Sequence, residues 1–88
     1  MKNTNSVQTI SESDRDLQEI ILENSKDTLT GINYRIETIL PSELWLSLTK
    51  EEHISIGKSF MRLSKAGLIP YQYIGKTSAN HNLYQRLT

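Results

Sequence analysis

Cysteine is absent from this chain of 88 residues, and that absence removes two classes of small protein. Neither a disulfide framework nor a thiolate metal site can form. A secreted domain this short usually needs such staples, so a reducing, cytoplasmic setting is expected. Histidine is scarce as well. His53 and His81 lie far apart in sequence and lack the four-residue helical spacing of zinc peptidases, so neither a metal nor a cofactor is expected. No apolar run exceeds three residues, which leaves no candidate membrane span. The opening residues carry no apolar stretch of the signal-peptide kind, so none is expected there.

Carboxylates run out early. Residues 1–44 hold four basic and eight acidic side chains, a net of −4, whereas residues 45–88 hold six basic and two acidic, a net of +4. After Glu52 there is no acidic side chain, while Lys58, Arg62, Lys65, Lys76 and Arg86 follow. An overall charge of zero thus hides a polarity that points to an anionic partner for the second half.

Catalytic arrangements are missing too. Serines are plentiful, but no nucleophile elbow surrounds one. The pairs Asp14/Asp16 and Glu51/Glu52 suit the positive starts of helices better than acid–base chemistry. Gly75-Lys76-Thr77 resembles the end of a nucleotide-binding loop, but the required upstream glycine is Pro70 and a strand pattern follows. The expectation is a binding protein and not an enzyme.

A chain this short buries roughly 60–65% of its unfolded surface, enough for one core. All six aromatic residues lie beyond residue 30, which puts that core mainly in the last two thirds. Residues 1–10 are polar and unpatterned and read as a disordered tail, with 11–88 as a single domain. A first helix follows, capped by Ser11 or Ser13, with Leu17, Ile20, Ile21 and Asn24 on a narrow stripe. Residues 25–31 read as a linker ending in a turn. Residues 32–39 alternate apolar and polar with period two, the pattern of a half-buried strand. Pro41 can open a short helix over 42–48.

Thr49-Lys50-Glu51-Glu52 is the strongest local signal, a capping box that starts a long helix. That helix should stop at Gly67, with Pro70 beyond the break. Residues 71–74 and 83–87 then read as a hairpin joined by the polar loop 75–82. The expected fold is α+β, a small winged-helix-like domain: N-terminal helix, strand, short helix, long capped helix and C-terminal β-hairpin.

On a helical wheel Ile56, Phe60, Leu63 and Gly67 form the core side of the long helix, with His53 and Gly57 beside them. Gly57 would let another element approach closely. Ser55, Lys58, Ser59, Arg62 and Lys65 form the opposite, basic and hydroxyl-bearing side. Such a stripe suits phosphates and base edges in a major groove, and it equally suits plain solvation. In a winged-helix arrangement the second helix of the helix-turn-helix enters the groove and the hairpin follows the backbone. Lys76, Thr77, Ser78, Asn80 and His81 of the loop, with Arg86 beyond it, complete the candidate nucleic-acid contacts.

The run Leu44-Trp45, Leu48-Thr49-Lys50-Glu51-Glu52, Ile56-Gly57-Lys58-Ser59-Phe60, Gly67-Leu68-Ile69-Pro70 and Tyr73 through His81 with Tyr84 resembles a small uncharacterised domain family of bacteria, their phages and plasmids. The resemblance covers about residues 32–88 and implies an accessory protein of no assigned activity. It adds weight to Lys76, Thr77, Ser78 and Asn80. The first functional expectation is a DNA-binding accessory or regulatory protein. The second is a protein-interaction module, such as a mobile-element inhibitor of a host nucleic-acid machine.

Overall fold

A computed structural model gives the fold of residues 12–88; the tail expected over residues 1–10 and a cap at Ser11 lie outside the described residues. The longest element, α4 (Lys50–Lys65), begins as its sequence requires. Thr49 Oγ1 accepts from the Glu52 amide at 3.1 Å, and the Glu52 carboxylate accepts from the Thr49 amide at 2.8 Å. Two otherwise orphaned donors are thereby satisfied. The helix ends on Gly67 at φ +72°, a left-handed conformation that disfavours residues with a Cβ. Gly67 N then donates to Ser64 O and Leu68 N to Leu63 O, the two bonds of a Schellman motif.

Ahead of α4 come α1 (Glu12–Asn24), a 3₁₀ turn (Ser25–Asp27), β1 (Asn33–Tyr34), α2 (Ile36–Ile39) and α3 (Ser42–Ser47); β2 (Tyr71–Lys76) and β3 (Asn82–Arg86) follow. The three strands form one antiparallel sheet in the order β1-β3-β2. Tyr73 faces Tyr84 across the hairpin, and the register slips between Tyr73 and Gly75. Gly75, at φ +127°, therefore lies at an irregularity inside β2 and not in the loop as expected.

The strand expected over residues 32–39 is a correction. Only Asn33 and Tyr34 pair, and the chain then turns into α2. Ile36, Ile39 and Leu40 are all buried, the i, i+3, i+4 spacing of a helical face, while Ile32 is left exposed. The first helix also contributes more than an edge: Leu17 and Ile21 belong to the core. Ser13 lies inside α1, not at its cap.

Core packing centres on Phe60. Its ring lies 4.5 Å from that of Tyr84 and 5.9 Å from that of Tyr71, tilted in both cases, and all three are essentially fully buried. The Tyr71 hydroxyl meets Ser25 Oγ at 3.0 Å and Thr28 Oγ1 at 2.8 Å, so its polar end is satisfied where the first helix turns. Among the described residues no helix is long and apolar enough to cross a membrane.

Truncating Phe60 to Ala should cost about 3–5 kcal/mol in denaturant stability, since three elements meet on its ring. A loss below about 1 kcal/mol would remove it from the centre of the core. Tyr84 gives a pH test. Burial, with Tyr73 nearby, pushes its phenol up from 10.0 to about 12. The folded state thus favours the protonated phenol, so this contribution is whole below pH 10 and is lost as pH climbs towards 12. Urea melts at about pH 9 and about pH 11 should show a drop that Tyr84→Phe largely abolishes; an undiminished drop in the variant would assign it elsewhere.

Candidate functional site

Four segments line a groove of about 760 Å³: the residues 35–37 around the start of α2, Trp45 of α3, one side of α4, and the β2–β3 turn. Ile36, Trp45, Gly57 and Met61 form its apolar interior. Lys58, Lys76, Asn80 and His81 are exposed around it. Gly57 does not serve a close helix contact, as expected from the wheel. Nothing lies within 4 Å of where its Cβ would be, so the missing side chain leaves the groove open.

His53 is held against Trp45 across the α3–α4 turn. The rings stack at 3.8 Å with an interplanar angle of 6°, and His53 Nε2 lies 2.8 Å from the Trp45 carbonyl oxygen. A carbonyl only accepts, so His53 Nε2 is the donor in this bond. This pair fixes one wall. The neighbouring exposed apolar residues are Leu46, 81% exposed, and Ile54, 53% exposed.

The cations divide into two groups. Arg62 donates from Nε and Nη2 to the two carboxylate oxygens of Asp14, at 3.0 Å each, and from Nη2 to Ser59 Oγ at 2.9 Å. The bonds to Asp14 raise the guanidinium above its ordinary value, so Arg62 stays charged at any pH the fold tolerates. Arg35 pairs at 3.4 Å with Glu37, which is the sole carboxylate lining the groove among the described residues. Lys58 and Lys76 form no ion pair among the described residues.

The stripe expected on α4 is therefore divided. Lys58 and Arg62 line the groove, Ser55 and Lys65 are exposed outside it, and Ser59 is buried, contrary to its place on the wheel. The wheel missed Ser59 because α1 packs over that side of α4. In the turn, Thr77 Oγ1 accepts from the amides of Ala79 and His81, both at 3.2 Å, while Asn80 takes φ +68°. Thr77 is thus committed to shaping the turn that sets Asn80 and His81 at the groove; Ser78 is exposed beside them. Arg86 lies at the far end of β3, where it donates to Thr28 Oγ1 and to the Leu87 carbonyl and sits 6.0 Å from the Tyr71 ring centroid. The groove residues not anticipated as contacts are Arg35, Ile36, Glu37, Trp45, His53, Ile54, Gly57, Met61 and Asn82. Asn82 Oδ1 is buried and accepts no hydrogen bond among the described residues.

The division of cations is open to mutation. Arg62→Ala removes the guanidinium from the carboxylate of Asp14, which is 4% exposed, and should lower the denaturation midpoint. Lys58→Ala, on the same helix, should leave it unchanged within error. Equal midpoints for the two variants would show that Arg62 is not structural.

No curated protein and no solved structure matches the chain. Residues 19–86 match a family described as a domain of unknown function, DUF1413. That match covers most of the chain, from within α1 to the end of β3. The chain belongs to the DUF1413 family of small domains.

Proposed function

We propose that the chain is a small winged-helix-like protein that binds DNA through the groove, in an accessory or regulatory role of the kind phages and plasmids carry. One observation carries the reading. Lys58 and Lys76, brought from a helix and from a hairpin, meet one groove in which the sole carboxylate among the described residues, Glu37, is already paired. The order of elements supports it: a helix, a strand, two short helices, a long helix and a hairpin whose second strand lies between its partners. In that arrangement α4 would approach the major groove, and the turn carrying Asn80 and His81 would follow the phosphates. The exposed side chains of Ile54 and Leu46 favour a second reading, docking of a protein partner, which needs no nucleic acid.

Salt separates the two. Each phosphate neutralised contributes a log–log slope of roughly 0.9, so changing Lys58 and Lys76 together to Ala should reduce the slope for duplex binding by about 2. Folding should be untouched, because both side chains are exposed. Failure of the folded protein to bind labelled duplex at about 50 mM salt would overturn the DNA reading.

A further inference from the structure

A second charged feature lies on α1. Glu12, Asp16, Glu19 and Glu23 recur at intervals of four, three and four, which aligns them on one side of the helix. All four are exposed, whereas Asp14, Leu17 and Ile21, on the opposite side, are buried. Glu23 has an exposed partner in Lys26 at 3.2 Å; Glu12, Asp16 and Glu19 form no ion pair among the described residues. Arg15, at the margin, and Lys26 are the cations close to the stripe in sequence. Asp16, Glu19 and Glu23 also border a shallow depression of about 440 Å³, shared with Ile20 and Pro41. Carboxylates around an apolar hollow suit a lysine, whose methylene stem takes the hollow while its ammonium meets the acids.

We infer that the basic groove of one copy receives the acidic side of α1 from a second copy, so that the chain associates head to tail. Charge complementarity selects this occupant. The groove offers uncommitted Lys58 and Lys76 over an apolar interior, and the stripe offers unpaired carboxylates flanked by Ile20 and the exposed Leu22. Within one molecule the two cannot meet. α1 is fixed to α4 through its buried side, with Asp14 on Arg62, so its carboxylates point away from the core. The attraction can therefore be satisfied only between copies. Nothing opposes their approach at long range, because the formal net charge is zero at pH 7 and the opposite signs are segregated. Different surfaces of the two copies take part, so a single contact is heterologous and extends into rings or open chains, while two reciprocal contacts close a symmetric pair. Since the same lysines serve both, an anionic nucleic acid would compete with the neighbouring copy for the groove. The association itself does not depend on DNA binding.

Sedimentation of the full chain over a range of concentrations tests this at about 20 mM and about 500 mM salt. The expected result is a mass that rises with concentration at low salt and stays monomeric at high salt. Lys58→Glu with Lys76→Glu, and separately Asp16→Lys with Glu19→Lys, should each weaken association by about tenfold or more while circular dichroism stays unchanged. Mixing the two charge-reversed variants should restore it, because each then presents a stripe opposite in sign to the other's groove. Should the lysines in α1 disturb that helix, Asp16→Asn with Glu19→Gln loses the attraction without the reversal. A wild-type chain that remains monomeric at low salt, or a mixture that shows no recovery, would overturn the inference. The duplex titration is read separately. Association kept with DNA binding absent removes only the DNA reading, and the converse removes only this one.

Discussion

A carboxylate taken out of water needs a cation, and Asp14 finds it 48 residues away in Arg62. Two parallel bonds fix the rotation of α1 about its own axis as well as its distance from α4. With that rotation set, Leu17 and Ile21 enter the core and Glu12, Asp16, Glu19 and Glu23 face outward. The same pairing removes Arg62 from the uncommitted charge of the groove and leaves Lys58 and Lys76 to define it. One buried acid therefore decides both where the helix sits and which cations stay available.

The remainder of the groove follows from packing. Phe60 on Tyr71 and Tyr84 seats α4 on the hairpin, which brings the β2–β3 turn alongside the exposed side of the helix. Thr77 shapes that turn by accepting two amides, and the left-handed Asn80 completes it. On the other side the stacked Trp45 and His53 tie α3 to α4. Gly57 keeps the space between these walls open.

Much of this was legible from local signals. The box at Thr49 and Glu52, the stop at Gly67 and the aromatic hairpin are each written in adjacent residues, and they set α4, β2 and β3. Residues 32–39 were not legible, because Ile32, Tyr34, Ile36 and Thr38 satisfy period two almost as well as Ile36, Ile39 and Leu40 satisfy a helical turn. Packing of α2 against the core decided between them. The fate of Arg62 and Ser59 was hidden for a different reason: a wheel describes one helix, and their partner stands on another. Lys58 and Lys76 form no ion pair among the described residues, and the charge distribution had already marked them.

The central claim is that Lys58 and Lys76 make the groove the anion-binding surface, while Arg62 belongs to the fold. Amide chemical shifts of the isotopically labelled chain, followed as a short DNA duplex is added at low salt, test it residue by residue. The expected result is perturbation that joins residues 35–37, Lys58, Lys76 and the turn through Asn82, with Asp14 and Ser59 unmoved. Shifts centred on the outward side of α1, or around Arg86 at the far end of the hairpin, would contradict it.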